Sequence, residues 1–247
     1  MAWAIAEHDA FMAGPEIDLP FFLARDGACK ESFEAARSRA DGWLARHDVD
    51  LPEFFAAIGT GIHTMLKAHV QGCRWVDSTP SSVLQWKVLM DMFPTARFVH
   101  MLRDGRSVVA SLLSSGFDIA AAKDFRVACS TWATMARKGR ELVESHPDRC
   151  IEIRQEQMAI DPFDVTSKVF ALCGESDDPR AGEFLARGRI NSSYGNKTVS
   201  DIRKAKPHQS APKTPWSNWS KAELRIFEQT AGELMQALGY GSETRST

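Results

Sequence analysis

Several features that would narrow the function of a chain are lacking here. The 247 residues include only five cysteines, Cys29, Cys73, Cys129, Cys150 and Cys173, with no CxxC pair among them. An odd count at wide spacing argues against a disulfide framework and a thiolate zinc site, and fits a reducing compartment. No run approaches the ~20 apolar residues of a membrane span, and no basic stretch followed by an apolar core marks a signal peptide. The expectation is a cytoplasmic protein without membrane contact, under which the sequons at Asn191 and Asn218 carry no weight. Thirty Lys and Arg against 32 Asp and Glu leave a formal net charge of −2. That gives no global field for nucleic acid, so any anion site must be local. No repeat is present, no histidines stand at metal-ligand spacing, and the GxxxxGK[ST] phosphate loop is absent.

What is present centres on residues 96–113. Phe98, Val99, Met101 and Leu102 make a short apolar run that fits a buried strand. Asp104-Gly105 is a turn signal, with Asp104 suited to cap the helix that follows. Val108, Val109, Leu112 and Leu113 form one apolar helical face, and Ser107, Ser111, Ser114 and Ser115 lie on the other. Arg103 and Arg106 flank a helix N-terminus, which itself favours anions. The element reads as a phosphate-binding turn without a glycine-rich loop.

The rest of the chain alternates helices with short strands. Residues 1–7 are helical in pattern with no leading strand, so the chain reads as beginning in mid-element; Ala13-Gly14-Pro15 breaks that helix and leaves Glu16 in a loop. Helices are expected over 31–47 and 52–71, and a strand over Arg74-Trp75-Val76. Asp77-Ser78-Thr79-Pro80 caps a helix carrying Val83, Leu84, Trp86, Lys87 and Met90 and ended by Pro94. Further helices are expected over 123–145, from Asp161-Pro162 to Gly174, over 178–187 and over 220–238, with a strand over Cys150–Arg154. Residues 189–219 are polar and read as a long loop. The alternation, in a chain that is 44% hydrophobic, predicts one α/β domain with a parallel sheet and helices on both faces.

Arg103-Asp104-Gly105-Arg106 after an apolar strand, with Ser111 eight residues beyond Arg103, resembles the 3′-phosphate motif of sulfotransferases. Those enzymes use 3′-phosphoadenosine-5′-phosphosulfate (PAPS) as donor. Further segments resemble the family in the same order: Asp124-Phe125-Arg126 with Cys129 and Trp132; Ile151 to Glu156 followed by Asp161-Pro162; Asn191-Ser192-Ser193-Tyr194; Trp216 with Ser220; and Leu238-Gly239-Tyr240. The likeness is nearer to the tyrosylprotein and bacterial branch than to the cytosolic small-molecule branch. It implies a P-loop NTPase-like three-layer α/β/α fold of the sulfotransferase type over a single domain, 1–247. It also implies transfer of a sulfuryl group from PAPS to a hydroxyl or amine of a small molecule or peptide, without a metal. Three positions depart from the pattern. The family's first strand and its 5′-phosphosulfate loop, a PRSGT-type turn, are absent, and the resemblance places them ahead of Met1. Ser78 stands where the family usually has a lysine, with Lys87 as a candidate replacement, and Gln155 stands for a tyrosine near the adenine.

The resemblance assigns roles to particular residues. Arg103 and Ser111 bind the 3′-phosphate, the guanidinium bidentately; Arg106 either contributes or points to solvent. Glu16, after Gly14-Pro15, matches the position of a catalytic glutamate that takes the acceptor's proton. His8, His63, His69 and His100 are competing bases, by analogy with the cytosolic branch. Ser192 and Tyr194 meet the purine. Lys197, Arg203, Lys204, Lys206 and Lys213 make a basic loop suited to a bisphosphate nucleotide, with Lys213, just before Trp216, the favoured contact. Two alternatives stay open: a nucleotide-binding remnant without catalysis, and a kinase-like phosphotransferase, which the absent phosphate loop and Mg²⁺ ligands disfavour.

Overall fold

The structure, a computed structural model, describes residues 1–25, 27–187 and 216–241. The first part runs α1 (Ala2–Ile5), β1 (Phe11–Ala13), α2 (Leu19–Arg25), α3 (Ala28–Arg37), α4 (Trp43–Arg46), α5 (Leu51–Lys67) and β2 (Arg74–Val76). A 3₁₀ turn (Pro80–Gln85) then leads to α6 (Trp86–Met92), β3 (Phe98–Leu102), α7 (Gly105–Leu113), α8 (Ala120–Lys123) and α9 (Phe125–Ser145). The remainder is β4 (Cys150–Arg154), α10 (Gln155–Ile160), α11 (Pro162–Cys173), α12 (Pro179–Ala186) and α13 (Lys221–Ala237).

The strands are parallel, as the alternation of elements predicts, and among the described residues they pair as two separate ladders. In the first, Phe11, Met12 and Ala13 lie opposite Arg74, Trp75 and Val76. In the second, β3 and β4 pair from Phe98 with Cys150 to Leu102 with Arg154. Side-chain packing joins the two: Phe11 and Val76 of the first ladder and Val99, Ile151 and Ile153 of the second share one apolar cluster with Val169 and Phe170 of α11. On the other side of β3, Leu102 packs with Val109 of α7, with Cys129, Trp132 and Ala136 of α9, and with Phe227 and Met235 of α13. α7, α9 and α13 are therefore anchored in one core.

The helix starts at Asp104 and Asp161 are those read from the sequence, and the structure adds caps at Asp124 and Ser220. Asp104, Asp124, Asp161 and Ser220 each accept a hydrogen bond from a backbone amide in the first turn, and Ser220 and Glu223 form a reciprocal capping box. Two expectations change. Residues 11–13 form a strand where only a helix break was expected: α1 stops at Ile5, and the Phe11 amide bonds back to the His8 carbonyl before the chain extends. The expected helix over 31–47 is two, α3 and α4, because the chain turns at Arg39–Gly42. Among the described residues no helix is long and apolar enough to cross a membrane.

Candidate active site

Each ladder ends, at its carboxyl edge, in one part of the expected site. In parallel α/β sheets these edges are where ligands gather. β3 delivers Arg103, then Asp104 leaves the strand and caps α7, its carboxylate accepting from the Arg106 amide at 2.8 Å. Gly105 opens the helix flat against the indole of Trp132; a Cβ there would lie 2.7 Å from three ring carbons. Glycine is needed because backbone and ring come this close. Arg103 and Ser111 are half-buried. Among the described residues the Ser111 hydroxyl makes no hydrogen bond, so it is available to an incoming oxygen.

Arg106 neither points to solvent nor stands open at the helix end. The residue is 7% exposed and its side chain folds back on Asp104: Nε lies 3.1 and 3.2 Å from the two carboxylate oxygens and Nη2 lies 2.6 Å from Oδ2. Its guanidinium lies 4.4 Å from the centre of the Trp216 ring. A buried guanidinium needs a partner, and the neighbouring carboxylate supplies it at once. The negative charge that the start of α7 attracts is thus already provided by Asp104.

Glu16 stands at the end of the first ladder. The loop that carries it is stitched to the loop after β2. The Ile17 amide donates to Asp77 Oδ1 at 3.1 Å and the Asp18 amide to Thr79 Oγ1 at 3.2 Å, while the Thr79 hydroxyl donates to Asp77 Oδ1 at 2.8 Å. Among the described residues the Glu16 carboxylate makes no hydrogen bond. Partial burial, and then the negative charges of Asp18 and Asp77, raise its pKa above the ordinary value of 4.5. A carboxylate with raised proton affinity is suited to take a proton.

Lys87, His63, His8 and His100 are engaged elsewhere. Lys87, the candidate replacement for a lysine at Ser78, is paired in this structure: its Nζ lies 3.0 Å from Glu141 on α9. Hydrogen bonds from Lys138 and Lys87 pull the Glu141 carboxyl down to about 2. His63 accepts from the indole N–H of Trp75 at 3.1 Å, and His8 accepts from the Ala10 amide at 3.0 Å. His100 is packed over Gly139, and burial pushes its pKa down to about 4, so it is neutral. Ser192, Tyr194, Lys197, Arg203, Lys204, Lys206 and Lys213 lie outside the described residues.

The sequence reading did not single out the groups that hold the site together. Asp77 and Thr79 were read as a helix cap, yet they fasten the Glu16 loop. Glu156 was read only as part of a strand motif, yet its Oε1 accepts the Asp104 amide at 3.0 Å. The one available signal was position: Glu156 follows the end of β4 as Asp104 follows the end of β3.

Comparison with known proteins bears on the family and the fold. Residues 5–179 match the sequence model of the sulfotransferase family. Protein-tyrosine sulfotransferase A of Caenorhabditis elegans is 28% identical over 95 residues, which are 36% of this chain and 24% of that protein. Protein-tyrosine sulfotransferase of Drosophila melanogaster is 27% identical over 105 residues, 39% of this chain and 20% of that protein. The matched parts are thus a quarter or less of these relatives. In fold, the chain is similar to the sulfotransferase domain of the curacin biosynthetic pathway, with a TM-score of 0.50 at 16% identity over 94% of this chain and 92% of that one. It is similar also to the sulfotransferase domain of the Synechococcus PCC 7002 olefin synthase, with a TM-score of 0.53 at 16% identity over 93% and 89%. With a family match over more than half its length, the chain belongs to the sulfotransferase family.

Proposed function

We propose that the chain takes part in sulfuryl transfer from PAPS to an acceptor hydroxyl or amine. The observation that carries this reading is the β3–α7 turn. Asp104 and Arg106 neutralise one another there, Arg103 immediately precedes them, and further along α7 the Ser111 hydroxyl makes no hydrogen bond among the described residues. A phosphate monoester takes charge-assisted and hydroxyl donors of this kind. In the reaction, Glu16 accepts the acceptor's proton as the acceptor oxygen or nitrogen attacks sulfur. The bond from sulfur to the 5′-phosphate oxygen breaks, and adenosine 3′,5′-bisphosphate leaves. The names of the two tyrosylprotein relatives support a phenolic hydroxyl on a peptide as acceptor, beside small-molecule hydroxyls. Lys213, Ser192 and Tyr194 complete the nucleotide contacts in this reading.

A second reading, nucleotide binding without transfer, is favoured by one observation: Ser78 stands where the resemblance calls for a lysine, and Lys87 is paired with Glu141. Two measurements decide. Calorimetry compares adenosine 3′,5′-bisphosphate with adenosine 5′-monophosphate; equal affinity, or none, refutes both readings. Incubation with sulfur-labelled PAPS and a panel of tyrosine peptides and small phenols separates them, since a binder alone gives a 3′-phosphate preference with no labelled product.

A further inference from the structure

Leu238-Gly239-Tyr240, just after α13, is assigned no chemistry by the reading above. Its geometry is specific. Gly239 adopts a left-handed φ of 74°, and two bonds close the helix end, Gly239 N–H to the Gln236 carbonyl and Tyr240 N–H to the Met235 carbonyl, both at 2.9 Å. This is the Schellman arrangement, which reverses the chain sharply and needs a residue at ease with positive φ. Leu238 is buried in the α7–α9–α13 core, so the reversal has a fixed base. Arg154, the last residue of β4, donates from Nη2 to the Leu238 carbonyl at 2.7 Å and places its guanidinium 5.0 Å from the centre of the Tyr240 ring. The Tyr240 hydroxyl then donates to Glu156 Oε2 at 3.1 Å.

The other oxygen of the same carboxylate accepts the Asp104 amide at 3.0 Å. That amide lies between the last paired residue of β3, Leu102, and the first residue of α7, Gly105, so neither ladder nor helix supplies it with an acceptor. The Asp104 nitrogen shares a planar peptide unit with the carbonyl of Arg103. Holding that amide therefore sets the plane from which Arg103 departs. Burial, and then the charge of Glu156, raise the Tyr240 pKa well above its usual value, so the hydroxyl stays a donor.

We propose that Glu156 and Tyr240 are positioning residues for the 3′-phosphate site: the Glu156 carboxylate, held in place by the Tyr240 hydroxyl, orients the Arg103–Gly105 turn. The proposal rests on reading that turn as the 3′-phosphate site, and its test separates the two. The affinities of wild type, Tyr240→Phe and Glu156→Gln for adenosine 3′,5′-bisphosphate and for adenosine 5′-monophosphate are measured by calorimetry on the full chain. Tyr240→Phe keeps the ring over Arg154 and removes only the hydroxyl. The expected result is about tenfold weaker binding of the bisphosphate, ~1.4 kcal/mol, with the monophosphate unchanged. Glu156→Gln, which removes the charge and offers Tyr240 an amide in place of one carboxylate oxygen, shifts the ratio in the same direction. A variant that weakens both nucleotides equally, or that keeps the wild-type ratio, overturns the positioning role. A wild type with no preference for the 3′-phosphate overturns the reading of the turn, and the proposal with it.

Discussion

Replacing Gly105 by alanine places a methyl against the face of Trp132. The new Cβ would lie 2.7 Å from Cδ2, Cε2 and Cε3 of the indole. Carbon atoms rest at about 3.5–4.0 Å, so one partner must move by about 1 Å. Trp132 has little room, being 5% exposed and stacked on Phe227 at 6.3 Å between ring centroids. The start of α7 therefore moves, and with it the turn that carries Arg103. Overpacking of this kind costs about 1–3 kcal/mol, partly offset by the ~0.4–1 kcal/mol that alanine contributes by restricting the unfolded chain. A net loss of about 1–2 kcal/mol is expected from urea unfolding, with an unchanged m-value. Nucleotide affinity falls in the same variant. Gly61, on the exposed side of α5, has nothing within 4 Å of a would-be Cβ. Gly61→Ala is the matched control and is expected to stabilise by roughly 0.5–1 kcal/mol. If Gly105→Ala is as stable as wild type and binds nucleotide unchanged, the turn does not rest on the indole and the reasoning fails.

Glu16→Gln is expected to lower the rate of transfer by about 10²–10⁴-fold, the usual worth of a general base, and full activity in this variant would remove Glu16 from the mechanism. Because folding raises the Glu16 pKa, the folded chain holds that proton more tightly than the unfolded chain. Its contribution to stability is thus lost as pH rises above the ordinary carboxylate range, so the Gln variant melts higher than wild type at neutral pH, with the gap closing in acid. His100 acts in the opposite sense: the unfolded chain protonates it near 6.5 and the folded chain only at about 4. Stability should fall by up to about 3 kcal/mol as pH drops across that window, and His100→Leu should flatten this part of the pH profile in urea melts. An identical acid slope in the variant would mean that the imidazole is not held neutral.

The elements legible in the sequence are those whose signals are local. α9 spans 21 residues with one apolar face, and β3–α7 carries its own cap at Asp104. Asp161-Pro162 and the Ser220–Glu223 pair mark helix starts unaided. β1 is not legible, because three residues carry almost no periodicity and its register is set by a partner near residue 75. The site divides in the same way. Arg103 and Ser111 stand out by their place in one strand–turn–helix element, and Glu16 by the resemblance alone. Arg106 turns back on the nearby Asp104, but the ring that covers it, Trp216, and the acceptor that holds the Asp104 amide, Glu156, are remote in sequence. Tertiary hydrogen bonds of this kind leave no periodic trace in a sequence.

The separate pairing of the strands bears on how the molecule opens. One ladder closes over residues 11–76 and the other over 98–154. What ties them is side-chain packing around Phe11, Val76, Val99 and Ile153, with no hydrogen-bonded rungs between them among the described residues. Regions joined in this way tend to open as distinct cooperative units with their own free energies, seen as separate classes of amide exchange. Glu16 belongs to one such unit, and Arg103 and Ser111 to the other. A molecule that touches both raises the opening cost of both by mass action. In hydrogen-exchange terms, occupancy of the whole site should merge two protection classes into one, whereas a nucleotide held only at the Arg103 end should protect the second ladder alone.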